Sequence, residues 1–134
     1  MKKKNLLLFS NLFNFKTIID EKDNEYVVFS NNKINKISDI ADKTQFEATE
    51  NHIHLYDKVK KRELEELTLI GQIIGKSLLC VLKSTFPQKK FIVYVSITIG
   101  DSMIIRFHQK WQNESLFYDD FQDVQSNETI LMFE

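Results

Sequence analysis

One cysteine, one proline and three glycines are all that a chain of 134 residues holds of these types. A single thiol, Cys80, excludes a disulfide within the chain. So little Gly and Pro excludes the collagen-like and Pro/Gly-rich disordered classes. No apolar run is longer than Leu78 to Leu82, well short of the roughly 20 residues a helix needs to cross a bilayer, so no membrane span is expected. A Gly-rich phosphate loop, a Gly-x-Ser-x-Gly elbow and a cysteine pair for a metal are all missing. Basic side chains are missing after Trp111: residues 112–134 contain no Lys or Arg but carry Glu114, Asp119, Asp120, Asp123, Glu128 and Glu134. Taking those six from the nineteen acids leaves thirteen against eighteen bases in residues 1–111. The net charge of −1 thus hides a basic body and an acidic end. The near-neutral total argues against general nucleic-acid binding. The acidic end is either a solvated loop or a surface for a basic partner.

Eleven Phe, four Tyr and a 43% hydrophobic content are too much for a disordered tail. The length fits one domain, 1–134, with a core that needs no disulfide or metal. Lys2 to Phe9 imitates the start of a secretory signal, but Ser10, Asn11 and Asn14 interrupt it and no small-residue cleavage site follows. A cytoplasmic protein is expected, and Cys80, inside its apolar run, is expected to be a buried structural thiol.

Hydrophobic periodicity gives the elements. Leu64, Leu67, Ile70, Ile74, Leu78 and Val81 recur at helical spacing. With Glu63, Glu65 and Glu66 at the start and Pro87 beyond the end, they predict one long helix over about 63–84. Gly71 and Gly75, one turn apart within it, predict a close backbone approach to a sheet or another helix. Thr17–Ile19 and Glu25–Ser30 predict two strands around a polar turn, with a return strand over Ile34–Ile37 and a short helical turn over Ser38–Lys43. Phe46 to Tyr56 alternates weakly and predicts a strand, while residues 6–15 fit helix or strand equally. Phe91 to Ile99 and Met103 to His108 alternate strictly. For their apolar rows to share a face the turn must be odd-numbered, which selects Gly100-Asp101-Ser102 and sets Ile97 opposite Ile105. Thr129–Phe133 is the last strand. The fold class is α+β: a mainly antiparallel sheet with the long helix packed across it.

Two constellations could carry chemistry. His52 and His54 lie on one side of a strand and could begin a zinc site, with His108 or Asp57 as a third ligand only if the fold brings them together. Tyr94, Arg106 and His108 share the polar side of the hairpin, and Arg with His can serve phosphodiester chemistry. Both sets are also ordinary for a half-exposed sheet, and no metal site or cofactor is expected. Trp111, with Phe107, Phe117 and Tyr118, makes an aromatic cluster that is either a core lid or an interface anchor.

The order of features from Asn51 to Glu114 carries a resemblance. Asn-His-Ile-His-Leu at 51–55 precedes the acidic-start helix and Thr-Phe-Pro at 85–87. Lys-Phe-Ile-Val-Tyr at 90–94 and Ile-Arg-Phe-His-Gln-Lys-Trp-Gln-Asn-Glu at 105–114 follow. Over about half the chain this resembles immunity proteins of bacterial contact-dependent growth inhibition and other polymorphic toxin systems. The resemblance implies a small bacterial binding protein without catalytic residues. It would neutralise the C-terminal domain of a cognate secreted toxin, often a nuclease, by blocking its active site or substrate path. Trp111, Glu114, Phe117, Tyr118, Asp119, Asp120, Phe121 and Asp123 are the expected toxin contacts, with no direct nucleic-acid or membrane partner. The alternative is a small phosphodiesterase or nuclease-like enzyme using His52, His54, Arg106 and His108. A third class is a structural or adaptor subunit.

Overall fold

The computed structural model describes residue 3, residues 10–118 and residues 126–134. A hairpin of β1 (Phe15–Ile19) and β2 (Glu25–Phe29) comes first, then α1 (Lys43–Glu50) and β3 (His52–Asp57). A 3-10 turn at Lys61–Glu63 leads into α2 (Leu64–Thr85), followed by β4 (Phe91–Thr98), β5 (Ser102–Gln109) and β6 (Glu128–Phe133). All pairings are antiparallel: β1 with β2 as a separate ribbon, and a four-stranded sheet in the order β3-β5-β4-β6. The chain is therefore an α+β protein with its long helix across the sheet, as its periodicities indicate.

Alternation sorts the sheet residues. Val93, Val95 and Ile97 of β4 lie opposite Phe107, Ile105 and Met103 of β5, all fully buried. They face α2, which buries Leu67, Gly71, Gly75, Leu78, Leu79 and Leu82 against them. Burial of apolar surface on this face supplies the driving force, at roughly 25 cal/mol per Å² removed from water. The β1–β2 ribbon extends this core past the end of α2. Phe15 and Phe29 stack on each other and meet the ring of Phe107 edge-on, with Phe86 and Phe91 alongside.

Several sequence expectations need correction. Ile97 pairs with Met103, not Ile105, and the three-residue loop is Ile99-Gly100-Asp101, one position earlier than expected. The shift is of two residues, so every side chain keeps its face. Hydrogen bonds from elsewhere fix the earlier turn: Gly100 N–H donates to Val59 O (2.8 Å), Val59 N–H to Asp101 O (3.0 Å), and Ile99 N–H to Asn127 O (3.0 Å). Gly100 itself has φ 84°, a conformation natural to glycine. The strand expected over Phe46–Tyr56 is half helix: α1 runs to Glu50 and β3 begins at His52. Asp42 caps α1 by accepting from Gln45 N–H (2.9 Å), a start signal that competes with weak alternation. Neither the return strand at Ile34–Ile37 nor the helical turn at Ser38–Lys43 forms. Ile34 N–H bonds Asn32 Oδ1 (2.9 Å) instead of a ladder partner.

Cys80 is exposed, not buried. The buried stripe of α2 runs through the two glycines, so Cys80 falls on the opposite side, with Leu69 and Ile73. By length and composition α2 is apolar enough to cross a membrane, which counting uninterrupted runs does not reveal. In this fold one side of it packs on the sheet.

Close approach is the reason for the glycines. A Cβ on Gly75 would lie 2.3 Å from the Phe133 ring, and one on Gly71 would lie 3.1 Å from both Met103 and Val95. Gly71→Leu should therefore lower stability by roughly 1–3 kcal/mol through overpacking. Gly75→Ala should displace the Phe133 ring and also destabilise, although alanine favours helix. Urea midpoints of both variants check this, and an unchanged or higher value would contradict the packing.

Candidate functional site

Strand β3 pairs with β5 only as far as His52 opposite Arg106, leaving the β5 edge from Phe107 to Gln109 open. The facing edge of β2 is open as well. Helix α1 fills the gap with two side chains one turn apart. Glu47 Oε2 accepts from Val27 N–H (3.0 Å) and Oε1 from Gln109 N–H (2.8 Å). Asn51 Oδ1 accepts from Phe29 N–H (3.3 Å), its amide donates to Val27 O (2.8 Å), and its backbone carbonyl accepts from Phe107 N–H (3.2 Å). Both residues are fully buried. They act as rungs between two sheets that do not pair directly.

Glu47 takes two further donors, Gln109 Nε2 (2.8 Å) and Trp111 Nε1 (2.6 Å). No cation among the described residues pairs with it. Burial raises its carboxyl pKa above the usual value, against the pull of its hydrogen bonds. From Trp111 the chain folds back over α1. Glu114 sits at the N-terminus of that helix, where Oε1 accepts from Thr44 N–H and Thr44 Oγ1 (both 2.7 Å) and Oε2 from Lys43 N–H and Lys43 Nζ (both 3.2 Å). A carboxylate there satisfies orphan amides and the helix dipole together. Partial burial works against its charge, but these donors prevail and hold its carboxyl below the ordinary value.

Next, Phe117 and Tyr118 cover the sheet face opposite α2. Tyr118 meets Tyr94 at 5.0 Å between ring centroids, and the Arg106 guanidinium lies 4.6 Å from the Phe117 centroid. Arg106 also donates to Ala48 O (3.3 Å), while its Nε has no hydrogen-bond partner among the described residues. Burial lowers its pKa from the ordinary value.

Of the eight expected toxin contacts, Trp111, Glu114, Phe117 and Tyr118 are thus engaged inside the molecule. Asp119, Asp120, Phe121 and Asp123 lie outside the described residues. The four residues of the enzymatic alternative do share one sheet face. His52 and Arg106 are directly opposite, and the rings of His52 and His54 are 5.6 Å apart. His108, however, is sealed. Its Nδ1–H donates to Gln109 O (2.7 Å), and its Nε2 accepts from Tyr94 OH (3.1 Å) and Phe117 N–H (3.4 Å). Among the described residues no three His, Cys, Asp or Glu side chains are placed to hold a metal. Sequence reasoning missed Glu47 and Asn51. Their four-residue spacing was the available signal, hidden by taking the segment for a strand.

Lys83, Lys89, Lys90 and Lys110 line a cavity of about 520 Å³ with Phe91 and Glu134. Lys110 pairs with Glu134 (3.0 Å) and Lys89 with Glu25 (3.3 Å).

A family model, the Uncharacterized protein PM0498 family, matches residues 3–134. The chain belongs to that family. No curated protein and no solved structure matches it.

Glu47 is tested by its nearest isostere. All four of its partners are donors, so Glu47→Gln must turn an amide N–H₂ towards other N–H groups. It should cost about 2–4 kcal/mol, read as a lowered urea midpoint and weaker Trp111 burial by fluorescence.

His108 gives a pH signature. Burial lowers its pKa below the ordinary 6.5, while its bond to Gln109 O pulls the other way. The stability this neutral ring supports is complete above the unfolded value and is lost as pH falls below it. Glu47, shifted upward, works in the opposite sense, so the readout must be a difference between proteins. Between ~pH 7.5 and ~pH 5.5 the unfolding free energy of the natural chain should fall more than that of His108→Gln. Equal losses would show that His108 is not the titrating group.

Proposed function

We propose that this chain is a non-catalytic immunity protein of the bacterial cytoplasm, which binds and neutralises the C-terminal domain of a cognate secreted toxin. The observation that carries the non-catalytic part is the state of His108: both ring nitrogens are bonded inside the protein and the side chain is fully buried. A general acid or base must reach a substrate proton, and the enzymatic alternative loses its central residue. The toxin itself is inferred from the resemblance over residues 51–114 and from the segregation of charge.

Asp119, Asp120 and Asp123, with Phe121, remain the proposed toxin contacts. Trp111, Glu114, Phe117 and Tyr118 take the part of a stem, since each is fastened to α1 or to the sheet before the acidic stretch begins. A fastened stem lowers the ordering cost of whatever it presents. Acids without a compensating base suit a basic nuclease surface, where charge mainly raises association rate and selects partners.

The test is kinetic binding to the toxin domain encoded by the adjacent reading frame. The triple variant Asp119→Asn/Asp120→Asn/Asp123→Asn, with fold intact, should associate more slowly and lose salt dependence. Unchanged rates would remove these residues from the interface. No binding by the natural chain, together with hydrolysis of RNA or DNA lost in His108→Ala, would replace the proposal with the enzyme.

A further inference from the structure

The side of α2 that faces away from the sheet carries one stripe at alternating four- and three-residue steps, from Arg62 in the 3-10 turn before the helix through Glu66, Leu69, Ile73, Lys76 and Cys80. Such spacing is the seam of a helix pair. No described residue covers its centre. Leu69 is 60% exposed and Ile73 is 62% exposed, adjacent and rigidly held in a helix whose other side is locked to the sheet. Of the large hydrophobic side chains on the described surface these two are the most exposed.

The stripe is complementary to itself. A two-fold axis beside the midpoint of the stripe, level with Gly71, sets Leu69 against Ile73 of a second copy and Ile73 against that copy's Leu69. The same operation sets Glu66 against Lys76 of the second copy, and Lys76 against its Glu66. Arg62 then meets the Cys80 position at the rim. Every stripe position finds a partner, the apolar pair at the centre and opposite charges outside it. Reversing the helix direction is what achieves this. A parallel pair in register would oppose Glu66 to Glu66 and Lys76 to Lys76, which repel.

We infer that a second copy of this chain docks on this face, α2 against α2, antiparallel about a two-fold level with Gly71. The contact is isologous, as closed homodimers are. Two apolar side chains a side are far fewer than the roughly 20–30 residues of a standard interface, so the dimer is weak and forms at high local concentration. It does not depend on the proposed toxin contacts, which belong to residues 119–123, and its test involves no toxin.

The test is analytical ultracentrifugation across protein concentration, with far-UV circular dichroism to confirm the fold of each variant. The natural chain should show a reversible monomer–dimer equilibrium that Leu69→Glu abolishes. Glu66→Lys and Lys76→Glu should each weaken dimerisation by about tenfold at low salt, because each creates two like-charge contacts by symmetry. The double variant Glu66→Lys/Lys76→Glu should recover it. These residues are about 15 Å apart along one helix, so recovery requires a second molecule in this register.

The exposed thiol supplies a distance. Spin labels on Cys80 should lie about 28 Å apart in the antiparallel pair and about 10 Å apart in a parallel one. A monomer at every concentration overturns the inference, as does a dimer insensitive to Leu69→Glu or a double variant that fails to recover. So does a chain that stays monomeric yet sediments with phosphatidylcholine–phosphatidylglycerol vesicles through the same leucine, since the face would then belong to a membrane.

Discussion

A fully buried carboxyl group, bonded by four N–H donors and by no cation among the described residues, joins the two sheets of this fold. Glu47 reaches β2 through Val27, β5 through Gln109 and the following segment through Trp111. Without it the β1–β2 ribbon would present unsatisfied amides to a sheet edge it cannot pair with. The two edges share no backbone ladder and are joined by side chains, Gln109 Nε2–H donating directly to Glu25 O (2.9 Å) beside the Glu47 and Asn51 bridges. Glu47 and Asn51 stand one turn apart on α1, the spacing that puts both on one side of a helix. The register of α1 against the two sheets is therefore set by polar atoms rather than by apolar packing.

That arrangement explains why an eight-residue helix of modest apolar character survives. Short helices are marginal by themselves, and α1 buries only Thr44, Glu47 and Ala48. It is held from three directions instead: by Asp42 at its own cap, by Glu114 from the far end of the sequence, and by the Glu47 rungs. A wrong register would leave several donors unpaired in low dielectric, which costs more than the net worth of the bonds formed. The stabilisation is modest and the specificity large. The same bonds fasten the segment from Trp111 to Tyr118, so its shape depends on α1 being correctly seated.

What the sequence reveals follows from how local each signal is. Helix α2 and the β4–β5 hairpin declare themselves because their periods repeat over many residues and one face is buried throughout. Gly71 and Gly75, one turn apart in a helix where glycine is costly, also point correctly to a close approach. The misses have a common cause. The register of the β4–β5 turn is set by Val59 and Asn127, remote in sequence, and a slip of two residues leaves the alternation unchanged. The helical state of residues 43–50 rests on the Asp42 cap and on Glu114, about seventy positions away. Cys80 has apolar neighbours in the sequence, but Leu67, Gly71, Gly75, Leu78, Leu79 and Leu82 form the buried stripe and leave it on the other side of the helix. Glu47 looks like any surface acid until its partners are assembled.

The distribution of unused groups now has a physical meaning. The polar side chains best suited to chemistry, Glu47, His108 and Tyr94, have their hydrogen-bonding atoms turned inward and occupied. Exposed apolar surface instead collects on the outer side of α2, and positive charge collects around the cavity at its end. Large exposed apolar groups on a rigid element favour recognition of another surface, whereas catalysis needs polar groups that are buried yet accessible. This distribution fits the binding role we propose, in which the open helical and charged faces meet other molecules. The antiparallel pairing of α2 proposed above is one such contact. It uses a face that the internal network neither needs nor blocks.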